Sequence, residues 1–358
     1  MISCHMVCHS NSHHLSQIFT GLFLLHKAGE IALSQECRDQ IWFDENRPQP
    51  LRDARYAHLL VKINREISLY YDCHDSYEID ELAAADVDYY FKRSYEPSRL
   101  PPPVKARIFP LGLNYAVYSP DVDDFEEERM NAFPAAGKPQ FRPTIENMRS
   151  SAGDQPDIGV LFMTRAWDPF DHPDRTPEKQ AERIRINEIR ARCIELLRDE
   201  FADRFRGGFA HTNYAIKNYR SVLLVDEKTS AKEHYFNLVS QYPVCVATTG
   251  LHESIGWAMG EYVAFSRAIV SQTLTCEIPG DFKQGANYLE FDSPERCVTA
   301  VRELLSDRKL MGAIMKNNSR YYSKYLRPDA MVRRTLRIAL SNRSVRIVKD
   351  RNRICPGP

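Results

Sequence analysis

The sequence is poor in features that would fix its class at once, and each absence excludes something. Its start has no basic n-region and no long apolar core, so no secretory leader is expected. The apolar piece at residues 18–25 is far too short to span a bilayer. A soluble cytoplasmic protein is expected, at most peripheral to the inner membrane face. There is no net charge, with 48 basic against 48 acidic residues, so wholesale nucleic-acid binding is not implied. The nine cysteines (4, 8, 37, 73, 193, 245, 276, 297 and 355) lack regular spacing. They read as reduced thiols and not as a disulfide framework. No Walker loop occurs, and no Gly-x-Gly-x-x-Gly follows the first expected strand, which disfavours a dinucleotide-dependent dehydrogenase. Internal repeats and low-complexity segments are lacking too.

What is present is enough for two ordinary domains. The chain has 358 residues, 43% hydrophobic and 11% aromatic, so sizeable cores can form. Residues 2–8 read as a buried strand, 15–27 as a helix and 31–33 as the next strand. Strand-like runs recur at 58–63, 66–71, 87–91 and 108–111. This alternation predicts α/β architecture, with a parallel sheet and helices on its faces. Residues 119–156 break the pattern with prolines and an acidic cluster, and read as a linker with a helical patch. A strand at 157–164 restarts the alternation. A helix follows at 178–201, with Ile184, Ile189, Cys193, Leu196 and Leu197 at helical spacing. The expected division is 1–118, a linker at 119–156, 157–326, and a final helix with a basic tail at 327–358.

Two short patterns suggest metal ligation and have blander explanations. Cys4, His5, Cys8 and His9 have metal-like spacing but lie on or beside an expected buried strand, where cysteine is a small apolar residue. Asp121-Val-Asp123 has no strand before it and fits a solvated charge run. No metal site is expected. The basic tail (Arg343, Arg346, Lys349, Arg351, Arg353) reads as disordered surface.

The most informative stretch is Gly250-Leu-His-Glu-Ser-Ile-Gly-Trp-Ala-Met-Gly-Glu261, followed by the apolar run Arg267-Ala-Ile-Val-Ser271. Glu253 falls in a loop before an expected helix and Glu261 on it. Paired carboxylates accept hydrogen bonds from paired hydroxyls, and a helix N-terminus favours an anion. This stretch resembles the donor site of retaining GT-B glycosyltransferases of the group 1 type, with their Glu-x7-Glu motif and following strand. Ile278-Pro-Gly-Asp, Asn287-Tyr-Leu-Glu-Phe291, Ser293-Pro-Glu and Lys316-Asn-Asn-Ser-Arg extend the resemblance over the C-terminal half.

The resemblance implies two Rossmann-like domains facing across a cleft, with the linker acting as part of a hinge. It implies transfer of a sugar from a nucleotide-diphosphate donor to a hydroxyl of a glycan, lipid-linked saccharide or small molecule, as in polysaccharide biosynthesis. Retention, no metal and no cofactor beyond the donor substrate belong to the same expectation. Glu261 would hold the ribose hydroxyls. Glu253 would meet the donor sugar with the backbone N–H groups of Ser254, Ile255 and Gly256. Arg165, after the first strand of the second domain, would meet the diphosphate, with Lys232 or Lys228 as a second cation. The turn Tyr71-Asp-Cys-His-Asp-Ser76 resembles the family's Val-His-Asp turn, which sets His74 near the reacting carbon. His13 and His14 lie in the first strand–helix loop, which lines the cleft in such enzymes. Two alternatives stay open: a nucleotide-sugar epimerase of the same fold, and a catalytically silent binding or scaffold protein.

Overall fold

The computed structural model describes residues 1–38, 57–100, 102–134, 141–148 and 159–354, with side chains, those of 103 and 104 excepted, as far as residue 341. The chain divides into two compact units. The first holds residues 1–138, 277–279 and 324–358, and the second 139–276 and 280–323.

In the first unit β1 (Ile2–Cys8), α1 (Ser16–Lys27) and β2 (Ile31–Cys37) form the expected parallel strand–helix–strand unit. Next come β3 (His58–Ile63) and β4 (Ile67–Asp72), an antiparallel pair. Asn64 and Arg65 take left-handed φ values of 50° and 61°, and the Glu66 N–H donates to the Ile63 carbonyl at 3.0 Å. Such a tight turn twists with its strands and leaves no room for the crossover that parallel pairing needs. β3 is also antiparallel to β1, so the expectation of an all-parallel first sheet is corrected: it is mixed. Parallel pairing resumes with β5 (Tyr89–Lys92) and β6 (Ile108–Pro110), after the short helices α2 (Glu81–Asp86) and α3 (Pro102–Lys105). The strand order is β2-β1-β3-β4-β5-β6. Because β3 runs backwards, its first residue, His58, lies at the edge where β1, β4 and β5 end.

The segment expected as a linker carries α4 (Asp124–Ala132). Asp123 caps it, accepting from the Glu126 N–H at 2.8 Å, so half of the Asp-x-Asp pattern is a helix cap. α4 lies on β2, where Gln35 accepts from Arg129 and donates to the Phe125 carbonyl, both at 2.9 Å. Residues 135–140 and 149–156 of that segment lie outside the described residues, as do 157 and 158 of the strand expected at 157–164.

The second unit is a parallel sheet with helices between its strands. In order come β7 (Val160–Thr164), α5 (Pro177–Phe201), β8 (Phe205–Phe209), α6 (Asn213–Asn218), α7 (Lys232–Gln241), β9 (Val244–Ala247), α8 (Trp257–Ala264), β10 (Ala268–Gln272), β11 (Tyr288–Phe291), α9 (Pro294–Ser306) and α10 (Arg308–Tyr321). Local signals set several of these ends. Thr176 and Ser293 accept from the N–H of the third residue of α5 and α9, and each helix has proline at its start. The buried face of α5 differs from the one read off its apolar residues. Ile184, Ile189 and Leu196 are half-buried, while Arg183, Asn187 and Arg190 are buried beside Cys193, Ile194 and Leu197.

α11 (Pro328–Ile354) returns to the first unit, and the backbone of the basic tail, expected as disordered, continues it. α11 crosses α1 at Gly21, where a Cβ would stand 2.3 Å from the Pro328 carbonyl oxygen and 2.5 Å from Val332 Cγ2. Gly21→Ala is therefore expected to cost about 1–3 kcal/mol or more, since backbone atoms must move. The readout is the thermal midpoint, and an unchanged midpoint would refute this crossing. Among the described residues no helix is long and apolar enough to cross a membrane.

Candidate functional site

The second sheet has the order β11-β10-β9-β7-β8 with every pairing parallel. The chain steps from β7 outward to β8, then crosses back to β9 on the other side of β7. The direction of winding reverses between β7 and β9. In open α/β sheets, ligands bind beyond the carboxyl ends of the strands at such a reversal. Two loops leave the sheet there, one after β7 carrying Arg165 and one after β9 carrying residues 248–256.

The loop after β9 is tightly folded. The Gly250 N–H donates to the Ser254 carbonyl at 2.8 Å, and Thr249 bridges Ile255. A Cβ at Gly250 would stand 2.9 Å from Ser254 Oγ, so a side chain there would displace that hydroxyl. His252 and Glu253 take left-handed φ values of 59° and 57°. Each costs on the order of 1–2 kcal/mol for a residue with a Cβ. The His252 N–H is held by Glu182 of α5 at 2.6 Å. Two consecutive left-handed residues expose the Glu253 side chain at the loop tip. Gly256 then caps α8. Of the three N–H groups expected to face a donor sugar, that of Ser254 donates instead to the Leu251 carbonyl at 3.1 Å. Ile255 is drawn into the bridge to Thr249, and Gly256 sits at the positive end of α8.

Glu261 lies on α8 and is 1% exposed. Its Oε1 accepts from Lys232 Nζ, which sits at the first position of α7. The rings of Tyr235 and Phe236 flank that ammonium, each 4.8 Å away. Burial first, then neighbours including Glu261, push the Tyr235 hydroxyl above its ordinary range, so it stays neutral. Of the two lysines expected as a second cation, the fold brings Lys232 to Glu261. Lys228 is exposed on a single turn, its N–H capped by Asp226.

Arg165 follows β7 and is exposed, its guanidinium 3.9 Å from the Trp167 ring centroid. The acids of this loop are occupied locally. Asp168 accepts from the Phe170 N–H at 2.8 Å, and Asp171 pairs with Arg175. Asn187 of α5 fixes Trp167 from both sides, accepting from its N–H at 2.8 Å and donating to its carbonyl at 2.7 Å. The Arg165 carbonyl accepts from Arg190 at 2.8 Å.

The first unit has its own polar cluster, at the edge where β4 and β5 end. Asp72 Oδ1 accepts from both the N–H and the Nδ1 of His74, each at 2.9 Å. Its Oδ2 accepts from Tyr90 and faces Lys92 Nζ at 3.1 Å. Burial raises the Asp72 carboxyl; the Lys92 charge and the His74 and Tyr90 hydrogen bonds outweigh it and hold it below the usual range. A carboxylate there requires a proton on Nδ1, so in the neutral ring His74 Nε2 is the acceptor. The ring of His58 lies 5.6 Å from His74 and 4.4 Å from His9. Burial, reinforced by neighbouring histidines, pushes His9 down to about 2 and His58 to about 3. His14 is pushed to about 4, by burial first and then by Arg93, which pairs with Asp75. His13 is exposed and bonded to Tyr118 Oη at 2.5 Å.

Of the residues singled out in the sequence, the fold brings Lys232 to Glu261 and seats His74 on Asp72; Lys92, His58, Asn187 and Arg190, which pack beside these groups and loops, were not singled out. A polar residue inside an otherwise buried strand or helix face was the available signal.

No family model matches the chain, and no curated protein matches its sequence. Among solved structures it is similar to the C-terminal domain of a group 1 family glycosyl transferase, LpcC, from Francisella tularensis. That match has 12% identity and a TM-score of 0.32 over 47% of this chain and 85% of that one. It is similar to HepE of Anabaena in complex with UDP-glucose, at 9% identity and a TM-score of 0.39, over 73% of this chain and 66% of that one. It is similar to TarM of S. aureus in complex with fondaparinux, alpha-GlcNAc-glycerol and UDP, at 13% identity and a TM-score of 0.40, over 71% and 44%. The chain thus spans less than half the length of TarM and 66% of HepE.

Proposed function

We propose that this chain is a glycosyltransferase that moves a sugar from a nucleotide-diphosphate donor to an acceptor hydroxyl, with retention and without a metal. One observation carries the reading. At the β7/β9 reversal an exposed arginine and the N-terminal loop of α8 stand beside each other in the fold, and α8 carries the buried Glu261–Lys232 pair. Arg165 and the α8 dipole suit the charge that develops on a leaving diphosphate. Glu261 has acceptor capacity beyond its bond to Lys232, which suits the paired hydroxyls of a ribose. Glu253 is the candidate for the donor sugar, exposed at the tip of the loop. Lys228 is set aside in favour of Lys232. In the first unit His74 is the candidate for a sugar hydroxyl, because Asp72 holds the Nδ1 proton and so makes Nε2 the acceptor of the neutral ring; His13 and His14 flank the same edge. With retention no side chain has to be a covalent nucleophile, and a phosphate oxygen of the leaving group takes the acceptor proton.

Calorimetry against UDP, GDP, CDP and ADP tests the reading. One diphosphate is expected to bind in the micromolar range. Glu261→Ala removes charge-assisted hydrogen bonds and is expected to weaken binding by about 10–100-fold. Binding by none of the four would sink the nucleotide site and favour a scaffold protein.

A further inference from the structure

Arg190 sits midway along α5 and is 6% exposed. Its side chain reaches both loops of the β7/β9 reversal. Nη1 donates to the Arg165 carbonyl at 2.8 Å, Nε to the Thr248 hydroxyl at 2.9 Å and Nη2 to the Thr249 carbonyl at 3.0 Å. All three acceptors are neutral. Among the described residues Arg190 forms no ion pair, and the neighbouring charge it feels, that of Arg165, has its own sign. Burial first, then Arg165, pull its guanidinium down to about 9. A buried cation without a counter-ion is costly, and an apolar side chain of similar volume would fill the space at less cost. What the apolar side chain lacks is the planar fork, which bonds three atoms of two separate loops at once. Arg190 also belongs to a stripe. Asn187, three residues earlier, fixes Trp167, and Arg183, four before that, lies 5.7 Å from the Trp167 ring centroid. Residues at this spacing share one helix face.

We propose that Arg190 is a positioning residue for a diphosphate. It fastens the Arg165 turn to the loop after β9 from the buried side, and its charge, lacking a counter-ion among the described residues, biases the crevice toward an anion. The inference rests on the nucleotide-diphosphate reading of the site and adds a residue that need not touch the ligand.

Arg190→Met and Arg190→Lys test it. Amide hydrogen exchange of the free protein comes first and needs no ligand. In Arg190→Met, segments 164–168 and 248–253 are expected to exchange faster together, while the strands beneath them keep their protection. Calorimetry then compares the tightest-binding nucleoside diphosphate with its uncharged nucleoside. Arg190→Met is expected to weaken the diphosphate by about tenfold or more and to leave the nucleoside unchanged, with Arg190→Lys recovering part of the loss because it keeps the charge. Wild-type exchange in either segment of Arg190→Met would overturn the proposal. So would an equal loss of both ligands with a lowered thermal midpoint, since that marks a merely structural role. If the wild-type protein binds no diphosphate, the nucleotide reading fails by itself, and the exchange result alone decides whether Arg190 couples the loops.

Discussion

Asp72→Asn is expected to cost about 3–5 kcal/mol of stability, because it removes one partner of a buried ion pair and strands the other. Asp72 is 3% exposed, and the Lys92 side chain, 3.1 Å away, is fully buried. An asparagine can keep its Oδ1 toward the N–H and Nδ1 of His74. Its NH2 then points at the Lys92 ammonium, donor against donor, and takes from the Tyr90 hydroxyl the oxygen it donates to. Among the described residues Lys92 keeps only the His74 carbonyl, at 3.4 Å. For a unit of this size the thermal midpoint should fall by roughly 6–20 °C. Adding Lys92→Met to Asp72→Asn removes the stranded charge and should recover at least half of the loss, since an apolar replacement of a buried pair is often neutral. Urea unfolding of the two variants at neutral pH measures this. A single variant within about 1 kcal/mol of the wild type would show that Lys92 is not held by Asp72.

Acid should destabilise the protein well above the range in which carboxylates titrate. His9 and His58 are neutral and buried in the fold, at about 2 and about 3 against an ordinary 6.5. Below 6.5 the unfolded chain takes up two protons that the folded chain refuses. The unfolded state binds more protons, so stability rises with pH across this window and is lost as pH falls from 6.5 toward 3. Each group contributes a slope of about 1.4 kcal/mol per pH unit, which gives up to about 4 kcal/mol for the pair by about pH 5. His14, half-buried and at about 4, adds less in the same direction. His58→Gln should flatten the pH dependence of urea unfolding by about one such slope. A variant with the wild-type slope would mean that His58 is protonated in the fold, against its burial between the Tyr70 ring at 5.3 Å and the His9 ring at 4.4 Å.

The sequence was legible wherever the deciding interaction is local. Residues 2–8, the helix before Ala28-Gly29, the strand ending at Thr164, the Pro177 helix and the Ser293-Pro-Glu start all appear where their patterns put them. Periodicity, caps and turn residues act over a few positions, so a single sequence records them. Glu261 and His74 stand out in the sequence because short motifs surround them. The reversal of β3 was not, although Asn64 and Arg65 mark a tight turn: strand direction depends on which neighbour the strand pairs with. That reversal is what carries His58 to His9 and His74. The α5 face was misjudged for the same reason. A helix sequence shows which residues are apolar, whereas Arg183, Asn187 and Arg190 are buried because loops far along the chain offer them carbonyls and a ring. Most elements and their order were thus determined by the sequence itself. The Lys232–Glu261 pair, the seating of Lys92 and Tyr90 on Asp72 and the Arg190 fork were decided by tertiary structure, because each of these polar groups is stabilised by a partner that chain-distant packing supplies.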